Sequence, residues 1–198
     1  MSLEPEIHET ARRLVGILDR MQAPYAVGGA VAMAFAGFVR ATRDLDVLAL
    51  VPAVRTQELA DALAAEGFTM RGDDLSPMAP DAGRMAAASR ESGLFRVWRG
   101  DTRVEVFSPR VPLQDSILRR RVKADIGDFS FWVTTAEDLV LLKMVFHRPK
   151  DIEDARRLLA ANRETIDAAY LKEWVARTLE APVAEELSRL MGTAGISI

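Results

Sequence analysis

The stretch of residues 44–51 constrains the fold of this chain more than any other. It reads Asp-Leu-Asp-Val-Leu-Ala-Leu-Val, and a proline follows it. An apolar run of this length, bounded by proline, predicts a buried strand. Because side chains alternate along a strand, Asp44 and Asp46 share one face, whereas Leu45 and Val47 point into the core. The sequence therefore predicts two carboxylates side by side where a buried strand begins.

Other strands are predicted on both sides of this one. The segments that have strand character are 25–27, 94–98, 102–107 and 129–133. The second and third of these predict a β-hairpin that turns at Gly100-Asp101. Residues 72–93 are rich in small and polar side chains and have weak periodicity. They predict a long loop or a poorly defined strand, with the character of a mobile flap.

Helical spacing of apolar residues dominates the rest of the chain. The predicted helices are 7–21, 30–38, 54–65, 152–161, 166–179 and 183–191. A further helix begins after residue 134, where Thr134 has the spacing of an N-cap and Glu137 can complete a capping box. We therefore predict an α/β (α+β) core over residues 1–133, followed by a helical C-terminal part, 134–198, that packs on it.

Composition excludes several classes of site. The chain has 198 residues, a net charge of −3, no cysteine and two histidines. It therefore has no disulfide, thiolate zinc site or cysteine nucleophile, and a His-rich metal centre is disfavoured. No apolar run reaches the roughly 20 residues that cross a bilayer, and the acidic N-terminus is unlike a signal peptide. We expect a cytoplasmic protein with no membrane partner.

A third carboxylate and a glycine pair accompany the two aspartates. Glu105 lies between two valines in a predicted strand, so it points away from the core. Gly28-Gly29 follows a strand and precedes a helix, where the backbone can approach phosphates closely. Carboxylate oxygens are the ligands that magnesium prefers, and substrate phosphates complete its coordination. The pattern indicates phosphoryl or nucleotidyl transfer.

Three motifs together resemble the signature of the polymerase-beta-like nucleotidyltransferase superfamily. They are Gly28-Gly29, Asp44-Leu45-Asp46-Val47 and Val104-Glu105-Val106. Residues 40–43, 137–143 and 148–154 resemble its small stand-alone branch, which includes the AbiEii-type (abortive infection) toxins. The resemblance covers roughly residues 25–160 and implies a nucleotidyltransferase fold, with a short mixed sheet flanked by helices.

The resemblance also implies roles for individual residues. Those expected to bind Mg²⁺ or Mn²⁺ and act in catalysis are Asp44, Asp46 and Glu105. Those expected to bind the nucleoside triphosphate, with ATP as a candidate, are Gly28, Gly29, Arg43 and Lys143. Those expected to contact the acceptor or phosphates are Arg40, Arg148, Lys150 and Asp151. The implied reaction transfers a nucleoside monophosphate to a hydroxyl of an RNA, protein or small-molecule acceptor and releases pyrophosphate.

Other interpretations stay open at this point. The third carboxylate is usually Asp in the superfamily and is Glu105 here, which favours a non-catalytic nucleotide-binding module or toxin–antitoxin partner as the alternative. An antitoxin or a second copy of the chain is then the candidate partner. Lys143 lies on a helix with an apolar face, where a solvated lysine and a nucleotide-binding lysine fit equally well. A helical interaction protein is the third hypothesis, and it predicts that the three carboxylates do not converge.

Overall fold

The computed structural model of the protein describes residues 4–196. Its strands are β1 (Tyr25–Val27), β2 (Asp44–Ala49), β3 (Met70–Arg71), β4 (Pro77–Met78), β5 (Leu94–Arg99), β6 (Thr102–Phe107), β7 (Val122–Asp125) and β8 (Ser130–Val133). Six strands form one mixed sheet in the order β5-β6-β2-β1-β8-β7, and β3 pairs with β4 separately. Within the large sheet, β2–β6 and β1–β8 are parallel and the other pairs are antiparallel.

Helices cover the sheet and form the C-terminal third of the chain. They are α1 (Pro5–Arg20), α2 (Gly29–Phe35), α3 (Thr56–Ala65), α4 (Ala82–Ser92), α5 (Pro112–Arg120), α6 (Ala136–Phe146), α7 (Pro149–Ala161), α8 (Ala168–Thr178) and α9 (Ala181–Thr193). A 3-10 turn, Ala53–Arg55, precedes α3. No helix within residues 4–196 is both long enough and apolar enough to span a bilayer.

One hydrophobic core joins the sheet to the helices that follow it. Leu45 and Val47 of β2 are fully buried, as the alternation in the sequence predicts. They belong to the same buried cluster as Leu139 of α6, Leu158 of α7 and Leu187 of α9. The helical part therefore packs into the same core as the sheet, and the division at residue 133 stays a prediction.

Two local predictions are wrong. Residues 72–93 are not a long loop, because α4 fills half of the stretch. Asp81 begins this helix by accepting a hydrogen bond from the Arg84 backbone, and Gly93, with φ of +80°, ends it. The cap of α6 is also shifted by one residue. Thr135, rather than Thr134, is the N-cap, and its hydroxyl accepts from the Asp138 backbone.

Candidate active site

The parallel pairing of β2 with β6 sets the geometry of the candidate site. In this register Asp46 lies directly opposite Glu105, and Asp44 lies opposite Arg103. Opposed residues on neighbouring strands direct their side chains to the same face of a sheet. The sheet therefore places the carboxylates of Asp46 and Glu105 side by side, although they are far apart in the chain.

The glycine pair packs against the same point of β2. The Gly28 backbone N–H donates to the Asp46 carbonyl at 2.8 Å. Gly29 has φ of +55°, and a Cβ atom there would overlap the Oδ2 atom of Asp46. At Gly28 a Cβ atom would have 3.7 Å to its nearest neighbour, which is ordinary contact. The structure therefore needs glycine at 29, where the Asp46 carboxylate lies against the backbone.

Asp46 carries the strongest electrostatic signature of the site. Burial, followed by the negative charges of Glu105 and Asp44, raises its pKa from the usual 3.8 to about 6, against the opposing charges of Lys143 and Arg103. A raised carboxylate pKa means that the surroundings disfavour the ionised form. A divalent cation would relieve this crowding of negative charge.

Two arginines that the sequence analysis did not single out neutralise the neighbouring carboxylates. Arg96 Nε donates to Glu105 Oε1 at 2.7 Å, and Arg103 Nη2 donates to Asp44 Oδ2 at 2.8 Å. Arg96 lies opposite Glu105 on β5, so both arginines share the face of the acids. In the sequence, Arg96 and Arg103 alternate with the core residues of β5 and β6, which indicates that they face away from the core. This pattern does not show which carboxylate each arginine contacts.

Lys143 of α6 is the centre of a second charged network. Its Nζ donates to Asp151 Oδ1 at 3.1 Å and to Asp154 Oδ2 at 2.8 Å, and both acids are buried. Arg148 Nε donates to Asp151 at 2.5 Å, and Arg40 Nη1 donates to Asp154 at 3.1 Å. Burial opposes ionisation of Asp151, but the hydrogen bonds outweigh it and hold its pKa below the usual range. Lys143 is therefore a fixed, ion-paired lysine rather than a solvated one.

A cavity of about 290 Å³ lies beside these groups. The proposed site residues that line it are Gly28, Gly29, Asp46, Glu105, Lys143 and Arg148. Its apolar wall comes from three regions of the fold and consists of Ala26, Val47, Leu48, Leu94, Phe107, Ile117, Leu139, Leu142 and Phe146. The remaining polar side chains in the lining are Gln114 and Thr134. The cavity thus combines an acidic edge, two cations and a predominantly apolar wall.

The other predicted site residues lie outside the cavity lining. Arg40 and Asp151 act on Lys143 through the charged network described above. Asp44 lies two residues before Asp46 on the same face and is ion-paired with Arg103. Arg43 accepts a backbone hydrogen bond from Arg103, and Lys150 is exposed in the first turn of α7.

Asp46 and Glu105 fit a magnesium ion in part. Among residues 4–196, no three Asp, Glu or His side chains are arranged as a ready metal cluster. Magnesium, however, is usually held by one or two carboxylates together with substrate phosphates, rather than by a cage of protein ligands. The opposed pair of carboxylates supplies that number. Burial and then the negative charges of Glu105 and Asp44 raise the pKa of Asp46, and a cation would offset the second of these causes.

Comparisons with known proteins identify the fold. No family model matches the chain, and no curated protein matches it. The crystal structure of ANT(2″)-Ia in complex with adenylyl-2″-tobramycin matches with 15% identity and a TM-score of 0.53, over 87% of this chain and 97% of that one. A solution structure of ANT(2″)-Ia, described as an antibiotic-resistance factor, matches with 15% identity and a TM-score of 0.50, over 94% and 90% of the two chains.

An antigenic nucleotidyltransferase-like protein from Paracoccidioides brasiliensis is similar to the same degree. It matches with 14% identity and a TM-score of 0.51, over 96% of this chain and 93% of that one. At such identities the similarity concerns the fold. The predicted fold class is confirmed: the chain has the nucleotidyltransferase fold, with a mixed sheet flanked by helices and a helical C-terminal part.

Proposed function

We propose that the protein is a metal-dependent nucleotidyltransferase of the polymerase-beta-like superfamily. It moves a nucleoside monophosphate from a nucleoside triphosphate to an acceptor hydroxyl and releases pyrophosphate. The observation that carries the proposal is the opposition of Asp46 and Glu105 at the edge of a cavity that Lys143 and Arg148 also line. Carboxylates for a cation and fixed positive groups for phosphates are the two requirements of this chemistry.

Asp46 and Glu105 would hold Mg²⁺ or Mn²⁺. When bound, the ion neutralises triphosphate charge and activates the acceptor oxygen. Asp46, with a pKa of about 6, is mostly ionised at neutral pH and is available as a ligand. Glu105 is also our candidate base, and it takes the acceptor's hydroxyl proton. The acceptor oxygen then bonds to the α-phosphorus, and the bond from that phosphorus to the pyrophosphate oxygen breaks.

The positive groups at the cavity bind the phosphates. Lys143 is held by two buried carboxylates, so its ammonium group needs no reordering when the triphosphate binds. Arg148 is paired with Asp151, and this hydrogen bond raises the pKa of the Arg148 guanidinium. The charge of Asp46 adds to this increase, so Arg148 lies near the acidic edge of the cavity. Gly29 leaves the space beside the Asp46 carboxylate free of a side chain. We assign phosphate contact to these groups.

The residues outside the cavity lining have more distant roles. Asp44 would join the metal ligands once Arg103 releases it, since both lie at the same edge of the sheet. Arg40 and Asp151 position Lys143. Contacts of Arg43 and Lys150 with the nucleotide or the acceptor stay predictions.

A small molecule is the acceptor that we favour. The ANT(2″)-Ia neighbour was crystallised with adenylyl-2″-tobramycin, an adenylylated small molecule. The AbiEii-type branch, the RNA or protein acceptor, and the antitoxin or homodimer partner stay predictions, because the structural matches do not bear on them.

One observation favours the non-catalytic alternative. Arg96 and Arg103 are ion-paired with Glu105 and Asp44, so the chain's own cations can neutralise two of the three carboxylates. A nucleotide-binding module could retain such a site with no turnover. This alternative predicts that nucleotides bind and that no product forms.

Incubation with α-³²P-labelled triphosphates, Mg²⁺ and cell extract tests the proposal. We expect the wild type to transfer label to an acceptor and the isosteric variant Asp46→Asn to lose that transfer. Asp101→Asn is the matched control, because Asp101 is an exposed aspartate in the turn between β5 and β6. Equal labelling by wild type and Asp46→Asn would refute the assignment. Nucleotide binding without label transfer by any of the three proteins would support the non-catalytic module.

A further inference from the structure

The apolar wall of the cavity carries a single amide side chain among its lining residues, Gln114 of α5. Gln114 and Ile117 are one turn apart on this helix, so they occupy the same face. Two residues further along the strands from Asp46 and Glu105, Phe107 of β6 lies opposite both Leu48 of β2 and Leu94 of β5. This row lies about 7 Å along the strands from the Asp46–Glu105 row. A planar, largely apolar group bound there lies next to the catalytic edge.

Backbone contacts fix the orientation of the Gln114 amide. Its Oε1 atom accepts the N–H of Arg110 at 2.7 Å and the N–H of Val111 at 3.2 Å. Two N–H donors require an oxygen, so the amide cannot be turned over without losing both hydrogen bonds. The nitrogen, Nε2, is the other arm of the amide, and no group within residues 4–196 accepts a hydrogen bond from it. Because Gln114 belongs to the cavity lining and both lone pairs of its Oε1 are occupied, Nε2 is the polar atom that this side chain has left for a ligand.

The geometry points to Gln114 as the residue that selects the nucleobase. We propose that the base of the nucleotide lies in the apolar part of the cavity and that Nε2 donates to the exocyclic group at C6 of a purine or C4 of a pyrimidine. Guanine and uracil carry an oxygen at this position, whereas adenine and cytosine carry an amino group there, so the amide would meet another donor. The protein then prefers GTP and UTP to ATP and CTP. This inference rests on the proposed function, because it requires a nucleotide in the cavity.

Binding of four non-transferable analogues to the full chain tests the inference. The analogues are the α,β-methylene forms of GTP, UTP, ATP and CTP, each titrated calorimetrically in Mg²⁺. We expect the wild type to bind the GTP and UTP analogues about three- to tenfold more tightly than the ATP and CTP analogues, which is the effect of one hydrogen bond.

Gln114→Glu is the matched variant. It keeps an oxygen for the N–H groups of Arg110 and Val111 and replaces the nitrogen by an oxygen acceptor. Its preference should reverse toward ATP and CTP. The affinities for the four analogues are compared within one variant. A loss of affinity that the added negative charge causes equally for all four therefore cancels.

Two outcomes separate this inference from the proposed function. Equal affinities for all four analogues in the wild type, or an unchanged order in Gln114→Glu, would overturn the role of Gln114 and leave nucleotide binding intact. If the wild type binds none of the analogues, the proposed function fails, and the inference fails with it.

Discussion

Substituting alanine for Gly29 perturbs the site at one side chain, that of Asp46. A Cβ atom at this position would overlap both Oδ2 and Cγ of Asp46, and the backbone φ of +55° is unfavourable for alanine. The carboxylate is the mobile end of its side chain, so we expect it to rotate away from the glycine pair and out of line with Glu105. Gly28→Ala is the matched control, because its Cβ atom would meet nothing closer than 3.7 Å and its φ is −114°.

The expected difference in stability follows from the backbone. Alanine in the left-handed region costs about 1–2 kcal/mol. Both substitutions restrict the unfolded chain by the same amount, so this contribution cancels between the two variants. Gly29→Ala should therefore be at least about 1–2 kcal/mol less stable than Gly28→Ala in urea unfolding, because its overlap with Asp46 adds to the backbone cost.

Manganese binding measures the displacement of the carboxylate directly. Titration followed by electron paramagnetic resonance should show at least about a tenfold weaker affinity for Gly29→Ala, equivalent to about 1.4 kcal/mol, and little change for Gly28→Ala. The reasoning is refuted if Gly29→Ala remains folded and binds manganese as tightly as Gly28→Ala.

Three further changes test the electrostatics. In EDTA, because the folded pKa of Asp46 is raised to about 6, the folded state binds more protons between pH 4 and 7. As the pH rises from 4 to 7, the free energy of unfolding of the wild type should therefore fall relative to that of Asp46→Asn, by at most about 3 kcal/mol in chemical unfolding. The same pH dependence of stability in both proteins would contradict this. Lys143→Met removes one cationic partner from Asp151 and from Asp154, which keep Arg148 and Arg40, and thermal unfolding should show a loss of about 1–3 kcal/mol, unlike Lys143→Arg. Tyr170→Phe removes a hydroxyl that donates to buried Asp138 at 2.5 Å. It should cost about 1–3 kcal/mol in urea, and a loss below about 0.5 kcal/mol would argue against that contact.

Local patterns in the sequence predicted the parts of the fold that depend on neighbours in the chain. The alternation of acids with Leu45 and Val47 predicted which face of β2 is buried, and the hairpin at Gly100 was confirmed. The cap of α6 failed for an instructive reason. Both Thr134 and Thr135 have an acid three residues later, so two registers satisfy the same pattern. In the structure the Thr134 N–H donates to the Val27 carbonyl of β1, and Thr135 is the cap. The helix α4 was missed because its apolar residues are mostly alanines, which give weak periodicity.

Most contacts across the fold could not be predicted from local patterns, although the family resemblance assigned Asp46 and Glu105 to one metal site. The opposition of Asp46 and Glu105 depends on the register of two strands that are not adjacent in the chain. The partners of Lys143 lie on the next helix, so its environment depends on how α6 and α7 pack. Likewise, nothing in the local sequence shows that Arg96 meets Glu105.

The central claim is that Asp46 and Glu105 bind a divalent cation beside a nucleotide. A crystal structure of the full chain, grown with Mn²⁺ and an α,β-methylene nucleotide, tests this most directly through the anomalous scattering of manganese. We expect an anomalous peak in contact with both carboxylates and with the bound phosphates. A nucleotide in the cavity with manganese elsewhere, or with neither carboxylate in contact with it, would contradict the account.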